Sequence, residues 1–292
     1  MKLQLRTQRR DDGMVTLWLE SPERSVVVLD AWLLDQLHLF FDALDEEDPP
    51  SGFVLMSASS RVFVAGADLA EIDGLPDDQL HAYLTEGADA FARISALPCP
   101  TVAAINGATL GGGLEIALHC DGLIATGQNA AGKGYDIGLP EASLGLCPGW
   151  GGTQMLPARI DPARAIEMAA TGATTTSADP PEGLFDRVVA HEDDLYEAAV
   201  RWIETHPAAA ESRRTPRCIN QTNRDAVQAG LAAARGNLPD TAAARAVVEA
   251  VDVGLAEGWA AGTAAERRLL VSLRRTEAAR KKLQAFFSRS KA

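Results

Sequence analysis

Apolar positions in the first half of the chain follow two rhythms. Short runs at 15–21 (VTLWLES), 25–30 (SVVVLD), 52–58 (GFVLMSA), 100–106 (PTVAAIN) and 121–126 (DGLIAT) carry apolar and β-branched residues bounded by turn formers or charges, which predicts strands. Between them, AWLLDQLHLFFDALDEE (31–47) repeats apolar residues at helical spacing behind Asp30, a natural N-cap. Residues 59–72 read as a loop, a tight Ala-Gly-Ala-Asp turn and a short helix, and residues 77–96 as a second helix. A Gly-Gly-Gly turn then leads into a helix at 113–119. Strands alternating with helices predict an α/β fold with largely parallel strands.

After residue 155 Ala-rich helical patterns take over, at 161–172, 195–206, near 240–260 and at 266–287. The chain therefore divides into an α/β core, 1–190, carrying the candidate chemistry, and a helical region, 191–292. PAAAESRRTPR (207–217) is the most linker-like stretch. Pro180 and Pro181 forbid regular helix in SADPPEGL (177–184).

Composition narrows the class without naming it. With 47% hydrophobic and 23% charged residues over 292 positions, the chain is an ordinary globular protein able to bury a core. A net charge of −13 and a pI near 4.8 argue against nucleic acid as a partner. Cys99, Cys120, Cys147 and Cys218 have no metal-like spacing and read as reduced thiols. The N-terminus has no secretory h-region and no apolar run has the length of a membrane span, so a cytoplasmic location is expected. Charge is uneven: residues 266–292 hold nine Lys or Arg against two Glu, either a solvated helix face or a patch where an anionic ligand docks.

Two glutamates beside glycine clusters stand out. Glu115 follows Gly111, Gly112 and Gly113 inside an otherwise apolar run, and Glu141 precedes Gly149, Gly151 and Gly152. A carboxylate in an apolar run is either an unfavourable burial or an acid/base with a raised pKa. Glycines at a helix start let backbone N–H groups approach a ligand, although close helix–strand packing needs them equally. Ala65, Gly66 and Ala67 make a second small-residue turn with Asp68 as N-cap, and the Ala67 N–H is a further candidate donor. A dinucleotide fingerprint, a phosphate-binding P-loop and a GxSxG elbow are all missing. The five histidines form no metal-ligand pair, and His119, one turn beyond Glu115, reads as structural.

Three segments in order, AGADLAEI (65–72), PTVAAINGATLGGGLEIALHCD (100–121) and LPEASLGLCPGWGGTQMLP (139–157), resemble the enoyl-CoA hydratase/isomerase (crotonase) family. The resemblance covers roughly residues 15–190. Residues 240–292 further resemble the hydratase part of the multifunctional fatty-acid oxidation α-subunit. It implies a spiral of ββα units with a helical C-terminal region for trimerisation and closure of the CoA site. It implies Ala67 and Gly112 as the oxyanion-hole donors and Glu115 and Glu141 as the catalytic glutamates. Ala65, Gly66, Asp68, Gly111 and Gly149 are implied as substrate-binding positions, Gly149 and the turn after it orienting the acyl chain and a helix dipole toward the thioester.

The expected activity is hydration of 2-enoyl-CoA thioesters in fatty-acid metabolism, with no metal or separate cofactor, coenzyme A being part of the substrate. Δ3-Δ2 isomerisation or another reaction of the family is the alternative, and a non-catalytic assembly subunit is a weaker one. A homotrimer or dimer of trimers is expected, with a β-oxidation enzyme as a further possible partner. Where relatives carry a basic residue for the CoA phosphates this chain has Ala70, which shifts that role to Arg289 and Lys291. Glu115 and Glu141 stand 26 residues apart, a wide interval, with the added residues in GQNAAGKGYD (127–136) expected to reshape the pocket mouth.

Overall fold

A computed structural model describes residues 2–207 and 215–290. The chain opens with β1 (Thr7–Arg9), β2 (Met14–Leu19), α1 (Ala31–Asp45), β3 (Gly52–Ser57), β4 (Val62–Val64), α2 (Leu69–Gly74) and α3 (Asp77–Ala96). It continues through β5 (Thr101–Ile105), β6 (Ala108–Leu110), α4 (Gly112–Leu118), β7 (Gly122–Thr126), β8 (Asp136–Gly138), a 3-10 turn (Pro140–Leu144) and α5 (Gly152–Met155). The remainder is α6 (Pro162–Thr171), β9 (Thr174–Thr176), β10 (Arg187–Val189), α7 (Leu195–Thr205), α8 (Arg224–Ala234), α9 (Ala242–Glu257), α10 (Trp259–Leu273) and α11 (Glu277–Ser290).

One sheet runs β1-β2-β3-β5-β7-β10, parallel throughout except for β1. Its central strands are apolar on both faces because both are covered. Phe53, Leu55, Ala103, Ile105 and Leu123 point into the main core, while Val54, Val102, Ala104 and Ile124 pack with Ala198, Ala199 and Ile203 of α7. The second sheet runs β4-β6-β8-β9, with only β9 antiparallel.

The two sheets alternate along the chain. β3, β5 and β7 belong to the first sheet, and each is followed by a short strand of the second, β4, β6 or β8. Each short strand then turns into a helix or a 3-10 turn. This is the expected spiral of ββα units, and it has a consequence for the site. Since β4, β6 and β8 are parallel neighbours, the turns after them emerge side by side at one edge.

Several elements depart from the pattern-based reading. Residues 25–30 form no strand; their one pairing is a bridge from Leu29 to Ala67, which draws the segment along the turn after β4. The helix expected over 266–287 is broken between α10 and α11. Thr276 caps α11 by accepting from Ala279 N (3.2 Å), and Arg274 turns its guanidinium to the Ile72 carbonyl (2.7 Å) and Asp77 (2.5 Å). The prolines at 180 and 181 lie in irregular chain outside any helix, as expected. Of the linker-like 207–217, residues 208–214 lie outside the described residues. The main apolar cluster includes residues from Leu5 to Leu283, so α9, α10 and α11 share it with the α/β units. No helix among the described residues is long and apolar enough to cross a membrane.

Candidate active site

The turn after β4 is shaped by Gly66, whose φ of +115° excludes most side chains and whose missing Cβ would lie 3.1 Å from the Leu110 carbonyl. That carbonyl belongs to β6, so glycine lets the first two turns touch. Residues 27–29 clamp this turn: Ala65 N donates to Val27 O, Leu29 N to Gly66 O and Asp68 N to Leu29 O. The Ala67 N–H takes no part in the clamp, and Ala67 lines the cavity described below. Asp68 then caps α2, accepting from Ala70 N (2.7 Å).

The turn after β6 is fastened to β8 by Gly111 N donating to Gly138 O (2.9 Å). The Gly111 carbonyl accepts from Leu114 N and Glu115 N, so Gly112 occupies the first helical position, where an N–H has no intrahelical acceptor. The Trp150 ring lies against Gly112: an added Cβ would meet its Cζ3 at 2.4 Å. Glu115 follows within the first turn of α4, 1% exposed. Its Oε1 accepts from Trp150 N (2.7 Å) and Gly152 N (2.8 Å).

The turn after β8 delivers Glu141, the second residue of the 3-10 turn, with Oε1 next to the Gly111 α-carbon and Oε2 buried without a hydrogen-bond partner. Burial pushes the Glu115 carboxyl well above the ordinary range, the negative charges of Glu266 and Glu141 add to the effect, and the Gly152 and Trp150 amides oppose it. Burial likewise lifts Glu141 to about 7. The negative charge of Glu266 adds to the rise at Glu141 as well.

These groups surround one cavity of about 650 Å³. Ala65, Gly66, Ala67 and Asp68 line it together with Gly111, Gly112, Glu115, Glu141, Gly149 and Arg289. Val28, Ile72, Leu84, Leu270 and Phe286 give it an apolar interior. Of the positions singled out in the sequence, Lys291 alone lies outside the described residues. Residues 127–136 do not line this cavity, so the added length between the glutamates lies elsewhere, with Ala130 N bonded to Ser60 O. His119 is structural as read: its Nδ1 lies 3.0 Å from Ser95 Oγ and its ring packs edge-on against Phe91 and Trp259.

In the second glycine cluster the amides of residues 150–153 donate to the protein's own carboxylates, Glu115 and Glu266. Sequence reasoning missed two residues. Arg24 lines the cavity with its side chain 42% exposed and pairs with Asp68 at 2.6 Å; one basic residue after Pro-Glu is a faint signal. Glu266 is fully buried, on the stripe of α10 that it shares with Leu269, Leu270 and Leu273.

Comparison with known proteins matches residues 9–247 to the family model described as enoyl-CoA hydratase/isomerase. Among solved structures, the chain is similar to an enoyl-CoA hydratase from Bacillus anthracis, with 27% identity, coverage of 98% of this chain and 96% of that one, and a TM-score of 0.62. It shares its fold with an enoyl-CoA hydratase from Bacillus halodurans (21% identity, 96% and 99% coverage, TM-score 0.67). It does so equally with human mitochondrial delta3-delta2-enoyl-CoA isomerase (23% identity, 98% and 98% coverage, TM-score 0.67).

Proposed function

Since this chain belongs to the enoyl-CoA hydratase/isomerase family, we propose that it hydrates 2-enoyl-CoA thioesters to 3-hydroxyacyl-CoA. The observation that carries this reading is the convergence of two buried carboxylates, Glu115 and Glu141, on a cavity also lined by Ala67 and Gly112.

An unsaturated thioester becomes electrophilic at C3 when charge can collect on its carbonyl oxygen. The Ala67 and Gly112 N–H groups are the donors for that oxygen, each contributing roughly 3–4 kcal/mol to the enolate-like state. A water held between the carboxylates loses a proton to the ionised one and attacks C3. The protonated partner delivers its proton to C2. Both amide contacts to Glu115 fall on Oε1, which leaves Oε2 for the water. The two glutamates exchange protonation states over the turnover, and a further proton exchange with solvent resets them.

Coenzyme A enters as part of the substrate. Its phosphates meet Arg24 and Arg289 of the cavity lining, with Lys291 as a further candidate, while the acyl chain lies along Ile72, Leu84 and Leu270. A homotrimer or dimer of trimers in the cytoplasm, with a β-oxidation enzyme able to dock, belongs to the same reading, and light scattering of the purified protein tests the assembly.

Loss of the enoyl absorbance of crotonyl-CoA, or of a longer 2-enoyl-CoA, on adding the protein is the expected result. No turnover at any chain length by folded protein overturns the proposal. Formation of 2-enoyl-CoA from a 3-enoyl-CoA, without hydration, would assign the isomerase reaction instead.

A further inference from the structure

Glu266 plays no part in the chemistry above, yet its carboxylate is 0% exposed and lies one turn of backbone away from Glu115. The four consecutive amides of residues 150–153 alternate between the two side chains. Trp150 N and Gly152 N donate to Glu115 Oε1. Gly151 N donates to Glu266 Oε2 (2.6 Å), and Thr153 N to Glu266 Oε1 (2.8 Å). Gly151 sits in the middle of this turn at a φ of +104°, which admits few side chains. We propose that Glu266 is a positioning residue for Glu115, acting through the shared 150–153 turn and through its own charge.

The far side of the turn is built for a carboxylate. Thr153 Oγ1 adds a third donor to Glu266 at 2.5 Å and is itself held by Gln154 Nε2 (2.7 Å), which also donates to the Ala250 carbonyl of α9 (2.9 Å). Gly254 and Gly262 make room for that amide: a Cβ at either position would come within 3 Å of the Gln154 side chain. Holding α10 in place alone would be served as well by an apolar side chain, since a buried carboxylate is expensive to desolvate. A carboxylate here instead pulls on two amides and so fixes the two that orient Glu115.

Its charge matters as well. Glu115 faces Glu266 across the turn and Glu141 from the 3-10 turn. Glu266 faces Arg267 on its own helix and, more remotely, the Cys147 thiol, which donates to the Glu266 main-chain carbonyl. Glu249 of α9 lies beyond the thiol, and His119 packs one turn after Glu115 against Trp259. Burial raises Glu266 to about 7, while Thr153 and Gly151 favour its ionised form. When ionised it raises the proton affinity of Glu115.

This inference rests on the hydration reading only for the part Glu115 plays in the reaction, so the test reads Glu115 directly. The carboxyl band of Glu115, assigned by its loss in Glu115→Gln, is titrated by difference infrared spectroscopy in the full-length protein. In Glu266→Gln the Glu115 midpoint falls by about one pH unit, whereas Glu266→Asp, which keeps the charge, restores it. If Glu266→Gln does not fold, Thr153→Val removes the hydroxyl donor, leaves Glu266 less ionised and lowers the midpoint by a smaller amount. An unchanged midpoint in the folded variant overturns the proposal. Wild-type protein inert toward every 2-enoyl-CoA, with the midpoint shift present, removes the hydration reading and leaves the coupling of Glu266 to Glu115 in place.

Discussion

A methyl group placed on Gly111 would sit 2.4 Å from Glu141 Oε1. The turn that starts the helix of one carboxylate is thus the seat of the other, and nothing larger than hydrogen fits between them. Gly111 also holds φ at +54°, where a side chain is strained. Gly111→Ala is therefore expected to lower kcat on the order of 100-fold by displacing Glu141, with protein that still folds by circular dichroism. Activity within a factor of a few of wild type would separate Glu141 from the site.

Each carboxylate is expected to be needed. Glu115→Gln and Glu141→Gln keep the shape and lose the proton transfer, so kcat should fall by roughly 100- to 10,000-fold. KM for crotonyl-CoA should change little, as the acyl and CoA contacts remain. Steady-state kinetics on both variants checks this. A large fall for Glu115 with a fully active Glu141 variant would remove Glu141 from the hydration step.

The same burial makes the active site a liability for stability. Glu141 has a carboxyl lifted from 4.5 to about 7 in the folded chain, so the folded form binds its proton more tightly than the unfolded form does. Stability from this group is fully present below about pH 4.5 and is lost as pH rises toward 7. The loss is on the order of 1–3 kcal/mol. Glu141→Gln should therefore melt several degrees higher than wild type at pH 8 and at nearly the same temperature at pH 4.5. Calorimetric melting at both pH values measures it; equal Tm differences would contradict the linkage.

Arg24 and Arg289 flank the cavity with exposed side chains. If they meet CoA phosphates, replacing either by alanine should raise KM for enoyl-CoA several-fold and leave kcat nearly unchanged. Raising the salt concentration should mimic both changes in the wild type. Turnover of a truncated pantetheine thioester, which lacks the nucleotide phosphates, should be indifferent to the substitutions.

The sequence carried the first sheet and the long helices better than it carried the fold's second sheet. β2, α1, β3, α3, β5 and β7 are legible because each is long enough for its period to show. β4, β6 and β8 have three residues each, and their small, turn-like neighbours disguise them, yet they bring Ala67, Gly112 and Glu141 together. Residues 25–30 misled in the opposite direction. Their β-branched residues serve cavity and core: Val26 and Val28 line the cavity, and Val27 is buried. Glu266 escaped notice because it stands in a basic segment, where one acid looks like a solvated ion-pair partner. The partner it has is a row of amides from residues more than a hundred positions earlier, which no local pattern encodes.

The break at Arg274–Thr276 also makes the cavity depend on contacts made some two hundred residues earlier in the chain. Arg274 reaches back to Ile72 and Asp77, and the helix beyond it brings Phe286, Phe287 and Arg289 to the cavity. A chain cut before α11 would keep Glu115 and Glu141 but would lose Phe286, Phe287 and Arg289 from the cavity lining.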